Sequence, residues 1–499
     1  MASKQKTIII GAGPVGATAA IYAAQRGHDV ELYEMRGDLR EPSTIPMNFT
    51  KSINLALSER CIQAMRSTGR PGLLESVMAE TIPMRGRMIH GRDKFNELYE
   101  ESQDYDIHGR TIFAIDRGGL NKRLLDELES MPNVQIFFNH KLVGADFKKK
   151  VAWFEQRSAS AAKGQKSVEI EVHFDLLIGA DGAHSSARYH LMKFTRMHYQ
   201  QEYIDALWCE FQIEADKSPE HVDSDSKFRI SQNHLHIWPG KQHLFIAIPS
   251  LDGSFTCTLF EPSTEFTRLE QNPDAIPAFF DEHFPGVTNL ISPGELVSSF
   301  KANPHLPLIN IKCRPYHYSH SAVIVGDAAH AMVPFYGQGM NAGLEDVRVL
   351  FSILDKHTDP AAGSIQQQRL AALEEYSTTR APDAAAINDL ALENYTEMRA
   401  SVISPVYRLR KGLEEFLSVY VPSLGWQTKY SRVSFGNERY SEVLAQSERQ
   451  GKLLLRGLIA LIASPLVLGG LALWWRWRNG YGGTRGLAKL PGLLGWKIS

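Results

Sequence analysis

The sequence predicts an α/β fold: a nucleotide-binding domain, an inserted β-sheet domain, a C-terminal helical region and one C-terminal transmembrane helix. Three observations carry that prediction. A β-branched run at the N-terminus enters a Gly-x-Gly-x-x-Gly turn and then a helix-forming stretch. Residues 198–310 lose helical periodicity and show short alternating runs. From Gly457 to Trp475 no residue carries a charge.

The first element is Lys6-Thr7-Ile8-Ile9-Ile10-Gly11-Ala12-Gly13-Pro14-Val15-Gly16-Ala17, followed by a helix to Arg26 and an apolar run, Val30 to Tyr33, that ends at Glu34. Strand, turn, helix and acid together are the context a dinucleotide site requires. Gly11 permits the tight turn, Gly13 admits a pyrophosphate, and Gly16 lets the helix pack on the strand. The helix N-terminus offers unpaired N–H groups to phosphate. Glu34 is placed to accept from ribose hydroxyls.

Further along, Ser52 to Ser58 leads into a helix from Glu59 to about Ser67. Pro83 to His90 reads as a strand carrying Arg85 and Arg87, and Arg92 to Asp106 as a charged, loop-like insertion. Thr111 to Ile115 is strand-like and runs into Asp116-Arg117-Gly118-Gly119; a helix follows from Leu120 to Ser130. Val134 to Phe138, Val143 to Phe154 and Ser167 to Phe174 read as strands, with 156–166 a hairpin tip. A buried strand then enters Gly179-Ala180-Asp181-Gly182. Within 198–310, Asp252-Gly253 marks a hairpin. Strand Ala322 to Val325 returns to the first domain and meets Gly326-Asp327-Ala328-Ala329-His330; Gly337 to Gly343 then opens a helix to about Leu354. Residues 365–450 are mostly helical by composition.

Charge and cysteine content exclude other classes. A formal net charge of -2 over 499 residues gives no footprint for nucleic acid. Cys61, Cys209, Cys257 and Cys313 stand far apart, which argues against a metal site and for a reducing compartment. No signal peptide is expected, because the first strand begins almost at once.

The apolar run has the length of a bilayer's hydrocarbon core, about 30 Å at 1.5 Å per residue. Arg449, Lys452 and Arg456 precede it, and Trp474, Trp475 and Trp477 close it among arginines, as a membrane boundary favours. A span so near the C-terminus leaves the body in the cytosol.

Three separated elements, Gly11 to Gly16, Asp181-Gly182 and Gly326-Asp327, resemble those of the single-component flavoprotein aromatic hydroxylases, whose FAD-binding domain is Rossmann-like. The stretches 52–58, 82–90, 235–239, 255–260 and 394–399 are similar, within that family, to the kynurenine 3-monooxygenases, and so is the apolar tail. The resemblance implies a discontinuous FAD-binding domain (1–85, 107–197, 311–375). It further implies a substrate domain (86–106, 198–310), a helical region capping the site (376–452), a membrane anchor (453–478) and a tail (479–499). The implied reaction is L-kynurenine + NADPH + O2 + H⁺ to 3-hydroxykynurenine, NADP⁺ and water, through a flavin C4a-hydroperoxide. The implied location is the mitochondrial outer membrane, with the catalytic body facing the cytosol.

By the same resemblance FAD contacts Gly11, Gly13, Val15, Gly16, Tyr33, Glu34, Arg36, Ala56, Arg117, Leu142, Asp181, Asp327, Gly339, Met340 and Asn341. Substrate contacts Arg87, Tyr105, Asn394 and Tyr430; apart from the resemblance, Pro334, Phe335 and Tyr336 beside the Gly337 turn suit the apolar wall that such a site needs to exclude water. A guanidinium grips both oxygens of a carboxylate, which suits Arg87, with Arg85 the ion-pair or solvent residue. Residues 91–106 depart from the family pattern, so Tyr99 rivals Tyr105, and another arylamine or phenol stays open as substrate. A non-catalytic, membrane-anchored flavoprotein is the third reading. No catalytic side chain is expected, since the flavin carries the chemistry, and His330 is read as a structural hydrogen-bonding residue.

Overall fold

The computed structural model describes residues 4–41, 44, 54–157, 168–217, 227–359, 363–400, 404–454, 456–457 and 474–475. Two compact units are formed, Met1–Val443 and Leu444–Ser499. In the second, residues 444–454 are helical. The apolar run lies almost wholly outside the described residues; among those described, no helix is long and apolar enough to cross a membrane.

The first unit is built on a six-stranded sheet in the order His317–Tyr318, Ala322–Ile324, Leu176–Gly179, Lys6–Ile10, Asp29–Tyr33, Val134–Phe137. All neighbours are parallel except the first pair. Ile8, Ile9, Leu32, Leu176, Ile178 and Val323 are fully buried. A parallel sheet covered on both faces reads as continuous apolar runs, and these strands do.

The sheet's carboxyl ends carry the three glycine turns, and the turns touch. A Cβ on Gly16 would fall 1.8 Å from the Gly11 carbonyl oxygen, and one on Gly11, at φ +98°, would fall 2.5 Å from the Ala180 oxygen. Val15 sits against Gly326 and Gly343; a Cβ on Gly343 would lie 2.6 Å from its methyl. The turns are therefore one packed assembly: a methyl group at Gly11 or Gly16 forces backbone apart, and one at Gly343 collides with the Val15 side chain.

The inserted domain is a seven-stranded sheet, Leu306–Arg314, His198–Ile213, Phe255–Glu261, His243–Pro249, His234–Gly240, Gly86–Arg92, Leu98–Asp104. The stretch expected as a charged loop, 92–106, is thus largely its edge strand. Residues of Leu98–Asp104 alternate between exposed and half-buried, so charged side chains stand in water while the backbone pairs from Gly86↔Asp104 to Arg92↔Leu98. Charges on an edge blunt pairing with other chains.

Other expectations also change. Residues 143–154 are two strands, His140–Asp146 and Val151–Gln156, because Asp146 accepts from the N–H groups of Lys148 and Lys149 and closes a turn. Three helices, Ser263–Gln271, Ile276–His283 and Pro293–Ala302, cover one side of the inserted sheet through Phe266, Phe280 and Phe300. The third starts on a capping box, Ser292/Glu295. The boundaries near 310 and 375 fall inside continuous elements, the strand Leu306–Arg314 and the helix Ile365–Arg399. That helix runs through Pro382.

The glycine assembly yields a paired test. Gly16→Ala should lower Tm sharply and prevent flavin retention. Gly13→Ala, whose Cβ meets nothing within 4 Å, should keep Tm and weaken flavin binding alone. Thermal melting with flavin titration checks both; equal loss of Tm in the two variants contradicts the packing account.

Candidate active site

Two sites adjoin in the first unit, and each is assembled from distant stretches. The first is the cleft at the glycine turns. Glu34, at the end of Asp29–Tyr33, receives the Ala12 N–H on Oε2 at 2.9 Å and the Arg36 N–H on Oε1 at 3.0 Å. Its carboxylate therefore stands over the turn where a ribose would lie. Arg117 begins the helix Arg117–Glu129 and is exposed. It lies close enough to Asp327 to oppose the rise that burial imposes on that carboxyl, as does His330. Asp327 itself is exposed to solvent, at the start of the short helix after Gly326. Arg117 and Asp327 thus lie within electrostatic reach of one another.

Asn341 closes the inner end. Fully buried in the helix Gly339–His357, it donates to the carbonyls of Ala56 at 2.7 Å and Gly337 at 2.8 Å, and accepts from the Ser58 N–H at 2.8 Å. Gly339 and Met340 precede it in the first turn of that helix. The Gly337–Asn341 turn is thereby tied to the strand Asn54–Leu57 and to Ser58 after it.

Three expected contacts place their side chains elsewhere. The Tyr33 ring is buried between Phe137 and Phe154, with centroids 4.9 and 3.9 Å away, and Leu142, on the strand His140–Asp146, is buried in the core. Only backbone at these two positions can meet a ligand. The Asp181 carboxylate accepts from Ser185 and from the Ala187 N–H at 3.0 Å. It fixes the turn before Ser186–Leu191, and burial raises its pKa.

A buried ionic network lies beneath the cleft. Asp346 accepts from the Gly326 N–H at 2.8 Å, from His330 Nε2 at 2.5 Å and from Arg380 Nε at 2.6 Å. Burial alone would raise its pKa; His330 and Arg380 outweigh that and hold it below the usual range. His330 is thus occupied structurally. Glu345 pairs with Arg60 at 2.7 Å and with Arg380 at 2.9 Å. Arg60 lies 3.8 Å over the Tyr440 ring, and Tyr440 donates to Gln338 at 3.1 Å, beside the Gly337 turn. Sequence reasoning missed Arg60, Glu345, Asp346 and Arg380, because charged residues on helices ordinarily signify a solvated face.

The second site is a cavity lined by Arg87, Gln103, Asp104, Tyr105, Tyr336, Asn394, Glu397, Arg410, Lys411, Glu414, Thr428, Lys429 and Tyr430. Arg87 is 6 % exposed, whereas Arg85 faces solvent and contacts His234. Arg87 Nη1 meets Glu397 Oε1 at 2.9 Å, and Nη2 reaches Asn394 Oδ1 at 3.5 Å. Its guanidinium carbon lies 5.1 Å from the Tyr430 ring and 5.9 Å from Tyr105. Tyr105 and Tyr430 stack at 4.9 Å, and Tyr430 and Tyr336 at 5.6 Å. Burial raises the pKa of Tyr105 and Tyr430, so both phenols keep the proton they can donate. Tyr99 instead packs on Gly91 and does not line the cavity.

Asn394 and Glu397 stand three residues apart on the helix Ile365–Arg399 and so share a face. That spacing was the available signal for Glu397. Pro334 and Phe335 do not line the cavity. The Phe335 ring stacks on Tyr395 at 4.2 Å and packs against Phe260, and its carbonyl accepts from Asn394 Nδ2 at 2.7 Å. Phe335 therefore holds Asn394 through its carbonyl and lies outside the lining of this cavity.

A dinucleotide cleft sharing a connecting segment with a charged, aromatic cavity defines an FAD-dependent oxygenase, and the family model described as "FAD binding domain" matches residues 4–391. The kynurenine 3-monooxygenase of Neurospora crassa is 66% identical over 489 residues, covering 96% of this chain and 95% of that protein. The enzyme of the same name from Chaetomium globosum is 66% identical, covering 92% and 97%. The chain belongs to the kynurenine 3-monooxygenase family. Among solved structures, 2-methyl-3-hydroxypyridine-5-carboxylic acid oxygenase superposes with a TM-score of 0.59 at 18% identity, covering 81% of this chain and 95% of that one. Klebsiella pneumoniae HpxO, solved with FAD and uric acid, gives 0.56 at 21% identity, covering 81% and 92%. These two share the fold.

Asp346→Asn should cost about 3–5 kcal/mol, because it leaves Arg380 and the Gly326 N–H with an uncharged partner in a buried site. Asp389→Asn, which breaks the half-exposed pair with Lys312, should cost under about 1 kcal/mol. Urea unfolding of both variants checks the contrast, and bound flavin should fall only in the first.

Proposed function

We infer that this chain hydroxylates L-kynurenine at ring position 3, consuming NADPH and O2 with FAD as its bound cofactor. One observation carries the reading. Tyr336 lines the cavity that holds opposite charges, and it directly precedes the Gly337–Asn341 turn of the cleft. A molecule with a zwitterionic head in the cavity therefore points its other end at that turn.

The residues present fit both molecules. Arg87 offers a forked donor set to an α-carboxylate, and the phenols of Tyr105 and Tyr430 add neutral donors. Glu397, now on Arg87, is placed to take an α-ammonium group. The stacked rings of Tyr336 and Tyr430 supply an apolar face for an aryl ketone. For FAD, Glu34 would meet the ribose, the N–H groups after Gly11 the pyrophosphate, and the backbone of Gly337–Asn341 the ring system. FAD, when bound, supplies the two-electron reduction by NADPH and the activation of O2.

The protein's own part is positioning and the exclusion of water. Kynurenine's arylamine nitrogen already makes the adjacent ring carbon electron-rich, so no side chain must remove a phenol proton. Consistently, the cavity residues are binders. Arg410, Lys411 and Glu414 form its outer rim. Attachment to the mitochondrial outer membrane through residues 457–475, body toward the cytosol, is supported by the uncharged run and the basic and tryptophan residues that bracket it.

Incubation with L-kynurenine, NADPH and air should yield 3-hydroxykynurenine by mass spectrometry. A different hydroxylated aromatic, with kynurenine inert, overturns the reading. Arg87→Ala should raise KM for kynurenine about 10- to 100-fold, the worth of a charge-assisted pair, with FAD retained. Glu397→Gln should raise KM for kynurenine more than for its des-amino analogue. Steady-state NADPH oxidation checks both, and an unchanged KM in Arg87→Ala removes the clamp.

A further inference from the structure

The two faces of the inserted sheet have different neighbours. On one, Phe211, Phe245 and Leu259 pack against the three covering helices. The other face carries Arg87 into the cavity. Register shows what stands with it: Arg87 lies beside Leu235, Ile237 beside Ile246, Ile246 beside Thr258, and Thr258 beside Glu210. Residues paired across strands share a face, as do residues two apart along one strand. Glu210 is therefore on the same face as Arg87, four strand spacings or about 19 Å away at the backbone. Two contacts bound the ground between them. Ile248, two residues from Ile246, packs with Leu235 against the cluster that holds Tyr105, as Tyr430 does. Phe260, two residues from Thr258, packs against Phe335, just before the Gly337 turn. Glu210 is 7 % exposed, and its Oε1 has no hydrogen-bond partner among the described residues. Burial, with no charge to oppose it, pushes its pKa up to about 7. An unpaired carboxyl in such a place costs stability, and folding alone gives no reason for it.

We propose that Glu210 accepts a hydrogen bond from the arylamine of the substrate, and so selects an aminoaryl ketone over the same molecule without its ring amine. The inference rests on the reading of this chain as a kynurenine hydroxylase. With the α-carboxylate on Arg87, the aryl end lies along this face toward Phe335 and the Gly337 turn. The backbone separation of Arg87 and Glu210 is one that an arginine side chain, the substrate and a glutamate side chain span together. One arylamine N–H of kynurenine is held within the molecule by the ketone oxygen at the neighbouring ring position. The other is free and needs an acceptor. Ile246 and Ile237 offer none, whereas Glu210 offers a carboxyl oxygen with nothing on it. A ring without the amine leaves that oxygen unpaired in a buried place, and a site built to pair a polar group discriminates strongly against a molecule that lacks it.

The test uses the full-length, FAD-loaded enzyme. Dissociation constants for L-kynurenine and for 2-amino-4-oxo-4-phenylbutanoate, which lacks only the ring amine, are read from the change in flavin absorbance. The wild-type enzyme should prefer kynurenine by about 10-fold or more. In Glu210→Met that preference should fall at least about fivefold, through weaker binding of kynurenine, with FAD content unchanged. Glu210→Gln keeps an oxygen that accepts, and should hold the preference within about threefold of wild type. Tm should hold or rise in Glu210→Met, because an apolar side chain of similar length replaces an unpaired acid. A preference unchanged in Glu210→Met overturns the proposal and leaves kynurenine hydroxylation standing. A Tm lowered by about 5 °C or more in that variant marks a structural carboxyl and overturns it as well. A wild-type enzyme with no affinity for kynurenine overturns both this inference and the activity on which it rests.

Discussion

One buried carboxylate sets the position of everything at the cleft floor. Asp346 has no access to water, yet holds a backbone N–H, an imidazole and a guanidinium at once. An isolated charge there would be prohibitive, so its partners are fixed in place as firmly as it is. Through Gly326 it sets the turn that carries Asp327. Through Arg380 it ties that turn to the helix Ile365–Arg399, which also presents Asn394 and Glu397 to the cavity. The cleft and the cavity are thus registered to each other by one helix.

The cavity draws on the edge of the inserted sheet, on that long helix and on the segment 428–430. None of these could form it alone. Stacked tyrosines join them, and aromatic pairs of this geometry contribute about 0.5–1.5 kcal/mol each beyond their buried area. Arg87 supplies the charge and Glu397 the counter-charge, so the cavity holds a satisfied pair before any ligand enters.

Much of this was legible from residue order. The turns at Gly11, Asp181 and Gly326 announce themselves because only certain residues tolerate such backbone approach. Arg87 stood out as a strand arginine of uncertain facing, and resemblance rather than periodicity chose it over Arg85. The edge strand Leu98–Asp104 escaped notice because its composition is that of a loop, and pairing partners are not written in local sequence. The buried network escaped for a related reason. Arg60 and Asp346 carry no mark of burial until Glu345, Arg380 and Tyr440 are brought to them from far along the chain.

That distance has a bearing on biosynthesis. The first strand made, Lys6–Ile10, pairs early with Asp29–Tyr33 on one side, but its other neighbour is Leu176–Gly179, and the sheet extends beyond that strand only when Ala322–Ile324 has emerged. Tyr440, which braces the turn at Gly337 through Gln338, comes later still. On a ribosome, the Gly11–Gly16 turn finds Tyr33 and Glu34 early, but it must wait for Ala180 and then Gly326 before its packing is complete. The complete cleft therefore exists only once the late segments have joined strands that were made first.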